Sequence, residues 1–342
     1  MKIKPMTKFA ILALSLVLVA CAGGGSEEAG CPAIDGREIN VVATTPMIGE
    51  FVSQVGGENI NLTVLMPPEA NPHTYEPAPQ DAGTIAEADL VFYTGLLYEP
   101  AAVVKLLENS ACSTDILSEV GESVFPIEFK EGGHDDHDDH DDEEGHDDEE
   151  GHDDEEGHDD HEGHNHGAYD PHFWFDPSRV AYAAEYIESR LIQFDPENES
   201  SYKSSADSFV SELNDLTKQV SELISTVPSQ NRKLITTHES LGYLEAKFGL
   251  EVLSTIIPSL NSANEISPSD LAGVIDVIED NNVKVIFIES EAPSVYSETI
   301  VAETGIKSVT GLYVETLKPG QSYSEFLISN VTLITENLQD TD

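Results

Sequence analysis

The chain has 342 residues, enough for two domains that each bury an apolar core. Lys plus Arg number 16 against 65 Asp plus Glu, a formal net charge of −49, which excludes a protein that tracks the phosphates of nucleic acid. Residues 131–166 carry 20 of those carboxylates, no Lys or Arg and nine of the 12 histidines, so only His73, His172 and His238 lie elsewhere.

The chain opens like an export signal: Lys2, Lys4 and Lys8 surround the start of an apolar run at 9–20 that is too short to span a bilayer. Leu18-Val19-Ala20-Cys21 resembles the lipobox of bacterial lipoproteins, in which the cysteine is lipidated and becomes the first mature residue. An ordinary signal peptide cut nearby is the alternative. Ala22-Gly23-Gly24-Gly25-Ser26 then reads as a flexible tether. The expected organisation is a signal peptide at 1–20, lipidated Cys21 and tether at 21–37, and an exported body on the outer face of the cytoplasmic membrane, in a periplasm or at the cell surface. Membrane contact is through the lipid. Cys31 and Cys112 remain, in a compartment where disulfides persist. A bridge would close a loop of about 80 residues and stabilise by ~4 kcal/mol; otherwise they are two separate thiols.

Residues 38–177 read as an N-terminal α/β lobe, with β-branched strand patterns at 40–44, 61–65 and 90–93 alternating with helical patterns at 47–55, 84–88 and 100–107. Its insertion at 131–167 repeats GHDDEE and related units and has nothing to bury, so disorder is expected. His134, His137, His140, His146, His152, His158, His161, His164 and His166, flanked by carboxylates, would make many weak, exchangeable metal sites that raise the local metal concentration. The alternative is an acidic tether that keeps the protein soluble.

Residues 178–229 read as connecting helices. One long helical pattern opens at Asp195-Pro196 and closes before Pro228, with Tyr202, Ala206, Phe209, Leu213, Leu216, Val220, Leu223 and Val227 on one stripe. It would form a rod of ~45–50 Å, a rigid spine along both lobes or a coiled-coil seam between copies. Residues 230–342 repeat the α/β grammar, with strands at 234–237, 251–256, 283–288 and 307–309 and helices at 241–248, 268–280, 293–304 and from 323 onward. The fold class is therefore α/β: two lobes, each a mainly parallel sheet flanked by helices, joined by one long spine helix.

His73 and His238 both follow a strand's carboxyl end, where open α/β sheets bind ligands. His172 lies between prolines beside the single tryptophan, in Asp170-Pro171-His172-Phe173-Trp174-Phe175-Asp176-Pro177. A cleft between lobes would gather all three. Three neutral imidazoles and one carboxylate suit tetrahedral Zn2+ better than Mg2+ or Ca2+, which take oxygen ligands. Glu315 is the candidate fourth ligand, with Glu76, Glu239, Glu289 and water as rivals. Asp176, Glu239 and Ser240 are candidates for holding the ring N–H groups. Affinity should fall as pH drops below about 6.5, the pKa of a free histidine.

Asn71-Pro72-His73-Thr74-Tyr75-Glu76-Pro77, the segment around His172, Thr237-His238-Glu239-Ser240-Leu241-Gly242-Tyr243-Leu244 and Leu312-Tyr313-Val314-Glu315-Thr316-Leu317 together resemble the four metal-site motifs of the solute-binding proteins of metal ABC transporters. The similarity is closest to the zinc-uptake, ZnuA-like branch and runs over residues 38–338. It implies two lobes joined by a single rigid helix, one transition-metal ion between them, and delivery to a cognate permease and its ATPase; the expected cargo is one tight Zn2+, with further weak ions in the insertion, on a monomer. In that family manganese and iron binders look to carry an acid where this chain has His238, and the His-rich insertion is typical of the zinc branch. Glu315 departs from the pattern, since aspartate is common there. The alternatives are the same fold carrying Mn2+ or Fe2+, or a metal-buffering lipoprotein or cell-adhesion protein without transport. A zinc enzyme is disfavoured, because the chain has no HExxH, GxSxG or P-loop and no evident general base.

Overall fold

A computed structural model describes residues 31, 34, 36–68, 70–129, 169–291 and 295–339. Cys21 and the nine histidines of the 131–167 insertion lie outside these residues. Two four-stranded sheets, every pairing parallel, share one strand order. The first contains β1 (Ile39–Ala43), β2 (Ile60–Val64), β3 (Leu90–Tyr93) and β4 (Leu117–Glu119) in the order β2-β1-β3-β4. The second contains β5 (Lys233–His238), β6 (Glu251–Ile257), β7 (Val285–Glu289) and β8 (Lys307–Leu312) in the order β6-β5-β7-β8. The central strands β1, β5 and β7 are almost wholly buried, in keeping with the Val, Ile and Thr that fill them.

Crossover helices α1 (Pro46–Gly56), α2 (Pro79–Ala86) and α3 (Ala101–Ser110) flank the first sheet. Thr45 starts α1: its hydroxyl accepts from the Ile48 N–H at 3.2 Å, with Pro46 in the first turn. After the connecting helices α4 (Pro177–Phe194) and α5 (Glu199–Ser225) come α6 (Gly242–Phe248), α7 (Pro268–Asn281), α8 (Val295–Thr304) and α9 (Tyr323–Gln339). Ser267 and Asp270 cap α7 reciprocally, at 3.2 and 2.8 Å.

The spine α5 has 27 residues, about 40 Å at 1.5 Å per residue. Its buried stripe is Tyr202, Ala206, Phe209, Leu213, Leu216, Val220 and Ile224. The sequence pattern favoured Leu223, but four residues beyond Val220 is the position that stays on the face, so Ile224 is buried and Leu223 only partly so. The stripe packs within the chain against α1, α4 and α9. There Phe51 of α1 meets Phe209 of α5 at 6.3 Å and Tyr323 of α9 at 5.3 Å between ring centroids, tying both lobes to the spine. Cys31 and Cys112 are joined in a disulfide.

Candidate metal centre

The carboxyl ends of both sheets face one cleft. His73 lies in the loop after β2, in a single turn of 3-10 helix, Pro72–Thr74. Asn71 starts that turn, its side-chain oxygen accepting from the His73 N–H at 2.9 Å, while the proline at 72 fixes the backbone. His172 precedes another 3-10 turn, Phe173–Phe175, and its backbone N–H and Nδ1 both reach one Asp170 oxygen, at 2.9 and 2.8 Å. His238 is the last residue of β5; its N–H donates to Glu289 Oε1 at 3.1 Å and its Nδ1 bonds Glu289 Oε2. Glu289 ends β7, the strand beside β5, so the sheet itself sets this pair. Glu315 follows β8, held by Tyr98 OH, which donates to Oε2 at 2.9 Å, and by Glu291 Oε1, which accepts from the Val314 and Glu315 N–H groups at 3.2 and 3.3 Å.

These loops bring His73, His172, His238 and Glu315 together, with one potential ligand atom from each lying within 4.8 Å of the others. Glu315 Oε1 is 3.1 Å from His73 Nε2 and 2.9 Å from His238 Nε2, and Oε2 is 3.5 Å from His172 Nε2. A tetrahedral zinc ion with bonds of about 2.0–2.1 Å keeps its ligand atoms roughly 3.3 Å apart, and the three oxygen–nitrogen separations, two to Oε1 and one to Oε2, lie on either side of that value. The four side chains are 0–3% exposed. The Nε2 atoms of His172 and His238 have no hydrogen-bond partner among the described residues, although a carboxylate oxygen is near in each case. Buried unpaired imidazole nitrogens aimed at a common point, each fixed from behind by a carboxylate on Nδ1, are the donor set a metal ion satisfies.

The electrostatics agree. Burial pulls the His172 imidazole down, but Asp170 and Glu315 outweigh it and push the pKa up to about 9. His238 is likewise raised against its burial, by Glu289 and Glu315. Glu315 is held well below the usual carboxylate range because the histidines outweigh its burial. Glu291 is pushed up to about 8 by burial and by the charge of Glu315, so near neutral pH it is largely protonated and adds little charge. The cluster thus favours positive charge, as protons or as a cation.

Of the rival carboxylates, Glu289 backs His238, Glu76 is exposed, and Glu239 accepts from Thr255 Oγ1 at 3.0 Å. Asp176 caps α4 by accepting from the Ser178 N–H at 2.9 Å and does not hold a ring. Ser240 acts at one remove, donating to Glu289 Oε1 at 3.3 Å. Sequence reasoning missed Asp170 and Tyr98. Asp170 had a usable signal, two residues before His172 across a proline; Tyr98 had none.

The sequence matches the family model described as zinc-uptake complex component A, periplasmic (ZnuA), over residues 41–337. The chain belongs to the ZnuA family. It is a substrate-binding component of a metal ABC transporter, a role that implies a permease and an ATPase as partners. Among its relatives, the manganese ABC transporter substrate-binding lipoprotein PsaA of Streptococcus anginosus is 26% identical over 98% of this chain and 99% of that one. The high-affinity zinc uptake system protein ZnuA of Bacillus subtilis is 28% identical, covering 96% of each. The periplasmic zinc binding protein TroA from Treponema pallidum superposes with a TM-score of 0.71 at 20% identity, over 88% of this chain and 99% of that one, which shows the shared two-lobed fold.

Proposed function

We propose that this ZnuA-family chain carries Zn2+ as its cargo, bound by His73, His172, His238 and Glu315, and hands it to the permease. The observation that carries this is the convergence of three buried Nε2 atoms on one carboxylate, 2.9–3.5 Å from its two oxygens, with one potential ligand atom from each residue within 4.8 Å of the others. Three imidazoles with a single carboxylate suit zinc, whereas Mn2+ prefers more oxygen donors. Four protein donors would complete a tetrahedron and leave no place for a reactive water, so the site suits carriage and not hydrolysis. Lipid attachment at Cys21 fits the lipoprotein names of relatives such as PsaA, and a tethered monomer would carry one tight ion while the 131–167 histidines hold further ions weakly. Among the described residues no helix is long and apolar enough to cross a membrane.

The test is zinc titration against a chelator of known affinity. One tight equivalent is expected, weakened at least a hundredfold by His73→Ala, His172→Ala or His238→Ala and retained when 133–166 is deleted. Loss of the tight equivalent in the deletion variant would place the binding in the insertion and sink the proposal. Relatives named for manganese make Mn2+ the second reading. Zn2+ outranks Mn2+ at nearly any nitrogen and oxygen site, so uptake decides between them: loss of the chain is expected to lower cellular zinc and leave manganese unchanged, and the reverse would favour manganese.

A further inference from the structure

Between β3 and α3, Gly95, Leu96 and Leu97 occupy the left-handed region in succession, with φ of 77, 54 and 63°. Leucine rarely adopts this conformation, because its Cβ crowds the following carbonyl. Burial of Leu97 cannot be what holds it there, since this side chain is 76% exposed, more than any other large apolar side chain described. The Tyr98 N–H closes the turn on the Gly95 carbonyl at 2.9 Å, and a pair of carboxylates braces it. Glu99, 4% exposed, accepts from the Thr94 N–H at 2.6 Å, the Gly95 N–H at 2.9 Å and the Thr44 hydroxyl at 2.7 Å. Glu119 Oε1 accepts from the Leu96 N–H at 2.8 Å and lies where a Cβ on Gly95 would sit, at 2.0 Å, so only glycine fits.

The turn has one evident product. It delivers Tyr98, 1% exposed, against His73 at 5.0 Å and His172 at 5.9 Å between ring centroids. From there the Tyr98 hydroxyl crosses from the first lobe to the second and engages Glu315 Oε2 at 2.9 Å. The bond engages the oxygen that lies 3.5 Å from His172 Nε2 and leaves Oε1 to face His73 and His238. A carboxylate restrained in this way gives one oxygen to an ion; released, it can give two, and a fifth donor favours metals that accept higher coordination numbers.

We propose that Glu99 is a positioning residue for metal selection: through the left-handed turn at 95–97 it seats Tyr98 on Glu315, which limits Glu315 to one donated oxygen and the site to four ligands. The inference rests on the proposed metal centre and extends it to a buried acid that never touches the ion.

The test uses the full chain with Zn2+ and Mn2+ for affinity and Co2+ as a spectroscopic probe, whose visible absorption is strong in four-coordinate sites and weaker in five-coordinate ones. Glu99→Gln keeps the shape but turns an NH2 group toward donors that need an acceptor. Glu99→Gln and Tyr98→Phe are each expected to weaken zinc roughly tenfold or more, to narrow the preference for Zn2+ over Mn2+, and to reduce the Co2+ absorption. Glu99→Gln should add little to Tyr98→Phe. Because Leu97 is exposed, substitutions there probe backbone handedness alone, and they keep the idea testable if Glu99→Gln does not fold. Leu97→Val, β-branched at positive φ, should hold zinc about threefold to tenfold more weakly than Leu97→Gly. The inference is overturned if Glu99→Gln lowers only the melting temperature, with metal preference and Co2+ spectrum unchanged, or if its full effect persists in Tyr98→Phe. Equal zinc affinities of the two Leu97 variants would overturn it too. If the unsubstituted chain takes up neither Zn2+ nor Co2+ tightly, the metal centre itself is wrong and the inference falls with it.

Discussion

Asp170 and Glu289 each pair with the Nδ1 of a cleft histidine, and Glu315 lies against the three Nε2 atoms. Among the described residues, no Lys or Arg bridges to these three carboxylates. In the metal-free protein, protons therefore compete for the position of the ion. The His172 pKa rises from 6.5 to about 9, against its burial, because Asp170 and Glu315 favour the imidazolium. The sign follows: this group stabilises the metal-free fold fully below about 6.5, and that contribution is lost as pH rises through about 9. Zinc needs the neutral ring, so binding expels the proton, and affinity should climb across the whole window from about 6.5 to 9. The sequence alone placed the loss only below about 6.5, because it did not show which acids back the rings. Calorimetry at pH 7.5 in buffers of different ionisation enthalpy should register at least one proton released per zinc. Binding that releases none and is flat from pH 6.5 to 9 would contradict the site.

At the scale of elements, α5 is the part shared by both lobes. Phe209 lies at its middle, 3% exposed, in ring contact with Phe51 of α1. Phe209→Ala should cost about 3–5 kcal/mol of unfolding free energy, since the stripe cannot collapse around the void. Leu223→Ala, on a partly buried position, should cost less than about 1.5 kcal/mol. Denaturant titration of the two variants checks the assignment of the buried face, and equal losses would refute it. The spine, the strands β1, β2, β3, β5, β6, β7 and β8 and most of their crossover helices are legible in the sequence because apolar periodicity persists over several residues. The strand β4 is not, because three residues, Leu-Ser-Glu, carry no period. Nor is the turn at 95–97, where only Gly95 hints at positive φ and the two leucines argue against it. The three cleft histidines stood out because histidine is scarce outside the insertion, whereas position alone left Glu315 level with Glu76, Glu239 and Glu289, and only the family resemblance singled it out. Glu289 and Tyr98 became supporting residues only through pairings across the sheet and across the cleft.

At the scale of the whole molecule, one contiguous apolar cluster runs from Ile39 of β1 through α1, α4 and α5 to α9 and β8. Polar bonds reinforce it from one lobe to the other. Asn71 Nδ2 donates to Ser262 Oγ at 3.0 Å, and the Tyr323 N–H donates to Glu50 Oε1 at 3.3 Å. A bound ion would add ligands from both sides, His73 from the first lobe and His238 and Glu315 from the second. Lobes that share a core and a metal should unfold as one unit. A ligand present at about a thousand times its Kd stabilises the native state by about 4 kcal/mol. For a chain of this size that corresponds to a rise of roughly 5–7 °C in the melting temperature. Calorimetry should therefore show a single thermal transition that moves upward intact on zinc addition, and His238→Ala should keep the single transition while losing most of the shift. Two transitions, with zinc moving only one, would mean that the lobes melt separately, so that neither the continuous core nor the shared ligand set couples them.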